Sequence, residues 1–368
     1  MRYAVVGAGY FGAELARLIA ASGSSVVTVV HSPSGAREVA AEVGARVEKD
    51  LVAACTAGDV DAVVVASPND VHRAPAVAAA RAGKHVFCEK PVALSVADAQ
   101  AMVEEARAAG VVLMAGHVTQ FMHGVREARR RIALGEVGEL LVASAARTGW
   151  EGASSSVSWK KQRARSGGHL FHHIHELDLV LAIMGPARRV SLSGGNLVHH
   201  GPGHGDEDDV LLATLEHESG AYSQLSWGSA FRWPEHQVTV QGSLGAVRID
   251  LQEVGVTMVS AAGRESWPLH RSVAEDAERR EEYGGASGGG GVVYGAPGSR
   301  PPGWLRGIMV EELAWFEEAV DRGGAPGDDE LSGLTDGSAA LTSVATAEAL
   351  MLSLAEDRKV SVAEVLRG

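Results

Sequence analysis

The fold is decided by the first residues of the chain, Arg2-Tyr3-Ala4-Val5-Val6-Gly7-Ala8-Gly9-Tyr10-Phe11-Gly12. The apolar, β-branched run before the first glycine predicts a buried strand, and the apolar spacing from Phe11 onward predicts a helix. Gly7 permits a tight turn, Gly9 lets the backbone approach a pyrophosphate, and Gly12 lets the helix pack closely on the strand. Strand, glycine turn and helix in this order indicate a dinucleotide site, in which Tyr10 and Phe11 are further predicted contacts.

Strands and helices alternate through the first third of the chain. Further apolar runs predict strands at Val26–Val30, Asp61–Ala66, His85–Cys88 and Val111–Ala115. Helices are predicted from Asn69 to Arg81 and, after a capping box at Ser95 and Asp98, to about Ala109. Buried strands joined by helices predict a doubly wound parallel sheet of the α/β class over residues 1–120.

The pattern changes beyond residue 120. A basic helix is predicted at Val125–Leu134, and one further helix around Leu170–Met184. Alternating apolar and polar residues predict strands at Leu140–Arg147, Val190–Ser193, Val210–Glu216, Ala221–Trp227, His236–Gln241 and Ala246–Leu251. A Gly/Pro-rich loop at 284–303 and helices at 304–321 and 338–355 complete the chain. Residues 121–368 are therefore predicted to form an α+β substrate domain with a large, mostly antiparallel, open-faced sheet.

Composition argues against several function classes. The chain of 368 residues has a net charge of −13, which disfavours nucleic acids and anionic membranes as partners. We expect no membrane span and no signal segment, because no apolar run is long enough and the first strand begins at once. Cys55 and Cys88 are the only cysteines, which is typical of a reducing compartment and predicts a cytoplasmic protein without disulfides.

Polar residues follow two of the predicted parallel strands, at the sheet edge where open α/β sheets bind ligands. Ser67-Pro68-Asn69 and His72 are predicted to contact the cofactor, while Asn69 also suits a helix cap. Glu89-Lys90-Pro91 follows the next strand and is predicted to contact the cofactor as well. The Lys90 amine can orient a substrate hydroxyl and stabilise a developing alkoxide; the alternative is a surface lysine at a strand end.

The residues after the second strand bear on the choice of cofactor. An NAD site usually has Asp or Glu at this strand end, to hold the ribose 2′-hydroxyl. The chain instead has Ser32, Ser34 and Arg37, and these side chains suit a 2′-phosphate, while His31 is a further predicted cofactor contact. We therefore favour NADP, and the nearby Glu38 keeps NAD open.

The densest polar cluster lies between Ser166 and Asp178 and is rich in histidine. On one continuous helix, the spacing of His172, His175 and Glu176 would place them on a shared face. Histidine suits proton transfer in alcohol oxidation near neutral pH, so His172 and His175 are the predicted catalytic and substrate-binding histidines. A metal held by His172 and Glu176 is the alternative, but a closed site needs further ligands and we predict no metal.

Two other segments flank this cluster in sequence. Trp159 precedes it and either stacks on a sugar ring or anchors an exposed loop. The acidic run Asp206–Asp209 follows it and predicts a solvated loop.

Together the motifs resemble those of the glucose–fructose oxidoreductase / inositol dehydrogenase / rhizopine-catabolism (Gfo/Idh/MocA) dehydrogenases. The matching stretches are Gly7–Gly12, Ser67–His72, Glu89–Pro91, Gly135–Gly138, Gly167–Asp178 and Gln241–Gly245. The resemblance implies a Rossmann domain that holds NAD(H) or NADP(H), an α/β domain whose open sheet makes oligomer contacts, and sugar, inositol or other polyol substrates. It also implies that Lys90 orients the substrate, that the bond before Pro91 is often cis, that His117 contacts the substrate and that His175 transfers the proton.

One position departs from the family pattern. Many members carry an acidic residue four positions before the histidine, where this chain has Phe171. His172 therefore stays open beside His175 as the proton-transfer residue.

We predict an enzyme that moves a hydride between a nicotinamide and a secondary alcohol or ketone of a sugar, inositol or related polyol. One alternative is transient NAD-dependent oxidation and elimination at a glycoside, which gives net hydrolysis with a retained cofactor. Another is a non-catalytic NADP-binding sensor. The open sheet predicts a homodimer or homotetramer.

Overall fold

The computed structural model describes residues 1–30, 35–286, 299–323 and 331–367. The strands are β1 (Arg2–Val6), β2 (Ser25–Val30), β3 (Arg46–Glu48), β4 (Ala62–Val65), β5 (His85–Glu89), β6 (Leu113–Gly116), β7 (Leu140–Trp150), β8 (Ala187–Gly195), β9 (Val210–His217), β10 (Tyr222–Gly228), β11 (Ala230–Gly242), β12 (Ala246–Asp250), β13 (Gly255–Ser260), β14 (Gly263–Trp267) and β15 (Val360–Ser361). The helices are α1 (Tyr10–Ala21), α2 (Ala36–Val43), α3 (Leu51–Thr56), α4 (Arg73–Arg81), α5 (Val96–Ala109), α6 (His123–Ala133), α7 (Arg163–Ser166), α8 (Gly168–His172), α9 (His175–Met184), α10 (Val273–Ala286), α11 (Gly303–Asp321), α12 (Ser338–Glu356) and α13 (Val362–Leu366).

The chain divides into two compact units. The first contains Met1–Val118 and Val293–Leu341, and the second contains Thr119–Val292 and Thr342–Gly368.

A six-stranded parallel sheet in the order β3-β2-β1-β4-β5-β6 is the centre of the first unit. β1 lies between β2 and β4, with Tyr3 opposite Val26 on one side and Ala62 on the other. The chain therefore winds outward from β1 in both directions, and the gap between the ends of β1 and β4 is the place where such sheets bind ligands. Val5, Val64 and other strand residues are fully buried, as expected for a sheet covered on both faces. The predicted doubly wound fold is confirmed.

A helix from late in the chain belongs to the first unit. Phe316 of α11 packs against Tyr3 and Phe87, with ring centroids 6.3 and 5.9 Å apart. The Tyr3 hydroxyl also donates to Glu317 at 2.9 Å. The sequence places all of residues 121–368 in the second domain, and the structure differs because these contacts join α11 to β1 and β5. Apolar periodicity predicts a helix at 304–321, but it does not say which sheet the helix covers.

The second unit contains a nine-stranded sheet in the order β14-β13-β12-β11-β7-β10-β9-β8-β15. β7 and β10 run parallel, and the other neighbouring strands among the described residues pair antiparallel. Leu211 and Leu225 point into the core, whereas Leu212 and Tyr222 are about half exposed on the opposite face. The predicted open-faced, mostly antiparallel sheet is confirmed.

The segment predicted as a loop at 284–303 needs correction at its start. α10 continues through Ala286, and residues 287–298 lie outside the described part of the chain. Ser272 accepts a hydrogen bond from the Glu275 backbone N–H at 3.2 Å, which caps this helix. The Ser-x-x-Glu pattern at 272–275 was a helix-start signal that our sequence analysis passed over.

The prediction that no apolar run is long enough to span a bilayer was wrong for α12. This helix has 19 residues with a mean hydropathy of 1.4, which meets a length and composition test for a span. Half of it is buried inside the fold, where Val344 and Leu350 are core residues. Core burial accounts for its apolar composition equally well.

Candidate functional site

The glycine turn after β1 has three glycines with three different surroundings. Gly7 has a φ of 96°, and a Cβ there would lie 2.5 Å from the Ala66 carbonyl oxygen. A Cβ on Gly12 would lie 1.9 Å from the Gly7 carbonyl oxygen, so α1 packs against the turn more closely than any side chain allows. Gly9 is exposed, and a Cβ on it would meet no protein atom within 4 Å.

This turn fits a dinucleotide. Gly9 is the N-cap of α1 and provides no side-chain cap, and the first turn of the helix carries no acidic residue. The free N–H groups of the first turn and the positive end of the helix dipole therefore suit an anion such as a pyrophosphate. Tyr10 and Phe11 pack edge to face beside the turn, with centroids 5.1 Å apart.

The segment after β4 contains a hydroxyl group that is available to a ligand and a histidine ring that joins two segments of the chain. The Ser67 hydroxyl oxygen is buried and makes no hydrogen bond to any described residue, so it is available to a ligand. The predicted contact Pro68 precedes Asn69, which is buried and begins a short 3-10 helix. His72 is buried, and its ring nitrogens lie 2.8 and 2.9 Å from the carbonyl oxygens of Ser67 and Pro91. The ring of His72 thus ties the end of β4 to the segment after β5, and burial lowers its pKa.

Glu89 is the last residue of β5, and Lys90 and Pro91 follow it at the same sheet edge. The Lys90–Pro91 peptide is cis, as the resemblance implies. Burial raises the pKa of Glu89 to about 7, and the neighbouring charge and backbone N–H of Lys90 act in the opposite direction. His117 follows β6 at this edge and is buried.

The residues predicted to select the cofactor are described only in part. His31 and Ser32 lie outside the described residues. Arg37 is exposed in the first turn of α2. The Glu38 carboxylate lies 3.6 Å from the place where a Gly35 Cβ would sit, so both a cation and an anion are near the start of α2.

In the second unit, the histidine cluster is not on one helix. α8 ends at His172 and α9 begins at His175, with His173 and Ile174 between them. The shared face predicted for His172, His175 and Glu176 from helical spacing is therefore wrong, because the chain breaks out of helical geometry between them. His172 is half-buried and meets Trp159 edge to face at 6.0 Å, whereas His175 is buried.

Glu176 is a buried carboxylate held by two partners that the sequence analysis missed. Its Oε1 accepts a hydrogen bond from His236 at 2.7 Å and lies 3.2 Å from the Arg147 guanidinium. Arg147 and His236 are direct cross-strand neighbours on β7 and β11. Burial alone would raise the pKa of Glu176, but these two partners lower it to about 2. Polar residues at core-facing strand positions were the available signal for them.

A second buried carboxylate supports the start of α9. Asp178 accepts hydrogen bonds from Gln120 at 2.6 Å and from the Ser343 hydroxyl at 2.9 Å. These bonds fix α9 to the segment before α6 and to α12, so Asp178 has a structural task.

The remaining histidines pack on one another. The ring centroids of His169 and His173 are 4.5 Å apart, and those of His172 and His173 are 4.8 Å apart. Burial lowers the pKa of His169 to about 4, so its ring is neutral at pH 7. In the ranges that the structure describes, no three His, Cys, Asp or Glu side chains come together as a candidate metal site.

The acidic run at 206–209 is less solvated than predicted. Asp208 and Asp209 are buried, and Asp209 accepts the backbone N–H groups of residues 197–199 at 2.7–2.8 Å. Asp206 accepts the Arg163 backbone N–H at 2.6 Å. Burial raises the pKa of Glu207 to about 8, with the charge of Glu151 adding to the effect. Anchoring of two loops, rather than solvation, explains these carboxylates.

Comparison with known proteins adds to this picture. A family model described as an oxidoreductase family with an NAD-binding Rossmann fold matches residues 1–117, and its C-terminal alpha/beta domain matches residues 129–362. A 2,7-anhydro-N-acetylneuraminate hydratase from Mediterraneibacter gnavus is 43% identical over 99% of this chain and 97% of its own. A hydratase of the same name from Escherichia coli K12 is 41% identical over 100% of this chain and 98% of its own.

Solved structures share the fold. An oxidoreductase from Agrobacterium radiobacter, crystallised with NAD⁺, L-tartaric acid and magnesium, matches with a TM-score of 0.80 over 100% of this chain and 99% of its own. Its identity to this chain is 20%, so this likeness concerns the fold alone.

The glycine turn yields a prediction that separates ligand binding from packing. Gly12→Ala should destabilise the cofactor-free protein, because the new Cβ would clash with the backbone of Gly7. Gly9→Ala should change the unfolding free energy by less than about 0.5 kcal/mol, since its Cβ meets no protein atom. It should nevertheless weaken dinucleotide binding at least about tenfold by displacing the pyrophosphate. Urea unfolding and NAD titration measure both effects, and unchanged NAD binding by Gly9→Ala would contradict the assignment.

The Glu176 cluster yields a pH prediction. Burial lowers the pKa of His236 to about 4, below the unfolded value of ~6.5. The unfolded state therefore binds more protons between these values, and stability falls as the pH drops from ~6.5 to ~4. We expect His236 to contribute about 2–3 kcal/mol to this loss. His236→Gln keeps an N–H donor for Glu176 but cannot titrate, so its unfolding free energy should fall less over the same range. Equal slopes of unfolding free energy against pH for the wild type and His236→Gln would refute this.

Proposed function

The chain belongs to the Gfo/Idh/MocA family of oxidoreductases, and from this membership we propose that it hydrates an anhydro sugar acid of the 2,7-anhydro-N-acetylneuraminate type. The observation that carries the proposal is the similarity, over nearly the whole chain, to two hydratases of that name. The family and the oxidoreductase class predicted from the sequence are confirmed. The identity of the substrate is the part that we propose.

Hydration of an anhydro bridge is redox-neutral, and transient oxidation provides a route to it. A ketone made from a secondary alcohol acidifies the neighbouring C–H bond, and loss of that proton expels the bridging oxygen from the next carbon. Water then adds its hydroxyl to that carbon, a proton returns to its neighbour, and the ketone becomes an alcohol again. Bound NAD or NADP would supply the oxidant of the first step and the reductant of the last, so that none is consumed.

Two groups of this chain serve that route. Lys90 lies at the ligand-binding edge of the first sheet, where its ammonium donates to the substrate oxygen that develops negative charge. His175 or His172 accepts the alcohol proton and returns it. The acidic residue that the resemblance implies four positions before His175 is the buried Phe171 in this chain, and His172 is the polar side chain next to it.

The cofactor preference is a separate proposal. An NAD-binding fold is shown by the family, and we propose NADP as the preferred form because Arg37 is exposed at the start of α2. A guanidinium there suits a 2′-phosphate, whereas Glu38 would suit the 2′-hydroxyl of NAD.

Turnover tests the proposed reaction. Incubation of the protein with 2,7-anhydro-N-acetylneuraminate and a catalytic amount of cofactor should consume the substrate without accumulation of reduced nicotinamide. In deuterated water, the product should carry deuterium at the carbon that is deprotonated. Mass spectrometry and absorbance of the reduced nicotinamide measure both. Reduced nicotinamide formed in proportion to substrate would instead indicate a simple dehydrogenase, and cofactor binding without turnover would favour a sensor.

Variants of Lys90 test its role within that reaction. Lys90→Ala should lower turnover at least about 10²-fold, because the developing alkoxide loses its donor, while cofactor affinity changes little. Lys49→Ala removes an exposed lysine of the same unit and serves as the control. Near wild-type turnover by Lys90→Ala would reject the role.

The cofactor proposal predicts a selective loss of affinity. Arg37→Ala should weaken NADP binding about tenfold and leave NAD binding unchanged, as measured by titration calorimetry. Arg107→Ala, an exposed arginine on α5, is the matched control. Tighter binding of NAD than of NADP by the wild-type protein would rule the preference out.

A further inference from the structure

α11 packs on β5 in a register that brings two carboxyl groups to neighbouring positions. Phe316 packs on Phe87 with centroids 5.9 Å apart. Glu312 precedes Phe316 by one helical turn, about 6 Å, and Glu89 follows Phe87 by two strand residues, about 6.6 Å, on the same face. The two spacings match, and Glu312 and Glu89 accordingly interact electrostatically.

The position of Gly116 on the neighbouring strand supports this register. A Cβ on Gly116 would lie 3.4 Å from both Phe87 Cζ and Glu89 Oε2. The ring and the carboxylate therefore project from the same face of β5, above the end of β6.

Glu312 has the surroundings of a neutral acid. It is 2% exposed, and its buried Oε1 has no hydrogen-bond partner among the described residues. An ionised oxygen in that position would be costly, because neither water nor a donor solvates it. Burial raises the pKa of Glu312 well above its ordinary value, and the charge of Glu89 raises it further.

Glu89, unlike Glu312, has groups beside it that stabilise the ionised form. The Lys90 charge and the Lys90 backbone N–H both stabilise the Glu89 carboxylate. Glu312 is buried and Glu89 is half-buried, and two carboxyls that interact electrostatically in such surroundings do not both ionise readily, so the proton stays on the one without a cation. Other titratable groups nearby are engaged or neutral: burial raises the pKa of Cys88, and His72 bonds to two carbonyl groups. On α1, which also packs against α11, Glu14 is paired with Arg300 at 2.6 Å.

We propose that Glu312 is a positioning residue: as a neutral acid it holds the Glu89 carboxylate, and through it the Lys90 ammonium, at the end of β5. The proposal rests on the proposed function only for the task of Lys90. A charged Glu312 would compete for the same ammonium, and an apolar residue would leave Lys90 as the stabilising neighbour of the Glu89 carboxylate, without a neutral acid beside it.

Carbon-13 NMR of the NAD-loaded protein, labelled at the glutamate carboxyl carbons, tests this without any substrate. Glu89→Gln and Glu312→Gln assign the two signals. The Glu312 signal should keep its protonated shift from acid to mildly alkaline pH, while Glu89 titrates near neutrality. A Glu312 signal that titrates in the neutral range would overturn the proposal.

Two variants then separate positioning from packing. Glu312→Gln stays neutral and can still donate, so the Glu89 midpoint should not move. Glu312→Leu removes the donor and should raise that midpoint by about one pH unit. Glu318→Leu, an exposed glutamate on the same helix, should leave it unchanged.

Other outcomes contradict the proposal. A lower Glu89 midpoint in Glu312→Gln would show that Glu312 is charged in the wild type. If Glu312→Leu folds and the midpoint stays in place, Glu312 only fills space. Because no readout depends on turnover, these results stand apart from the fate of the hydratase proposal.

Discussion

The close approach of α1 to the turn after β1 is the constraint on which the first unit depends. A side chain on Gly12 would lie 1.9 Å from the Gly7 carbonyl oxygen, so the helix begins directly above the switch point of the sheet. Its unpaired N–H groups then face the edge at which β1 and β4 end. Ser67 and Lys90 come to the same edge because every strand of this sheet runs parallel. The tight turn and the parallel strands together bring the groups predicted to bind the cofactor to one edge of the sheet.

In the second unit, a buried charge is tolerated because oppositely charged or hydrogen-bonding side chains pair with it. Glu176 is fully buried, yet Arg147 and His236 hold it ionised. Removal of one partner would leave an unsatisfied charge in the interior, so the three residues act as one structural unit. Their pairing fixes α9 against β7 and β11, and α9 carries His175 in its first turn. The position of His175, one of the two histidines proposed for proton transfer, is therefore set by its neighbours.

The family supplies a general chemistry, namely reversible oxidation of a secondary alcohol, and the hydratase proposal uses it twice in opposite directions. Such a cycle must return each proton that it removes. The chain offers a histidine-rich segment and, in our proposal, a carboxyl pair beside Lys90 that holds one proton. Both features would hold or transfer protons. A redox-neutral hydration depends on such groups more than a simple dehydrogenation does, because it must return each proton that it removes.

The sequence by itself determined the local elements, the glycine turn and the two-domain class, because these depend on short-range periodicity and on the conformational freedom of glycine. It also predicts roles for Lys90 and the histidine segment, since these motifs are contiguous. It failed where partners are distant along the chain: α11 covers β5, and Arg147 and His236 bond to Glu176, which is far from them in sequence. It also failed to predict the break in the histidine helix between His172 and His175. Only the tertiary structure decided these pairings, because burial and charge depend on what surrounds a side chain in space.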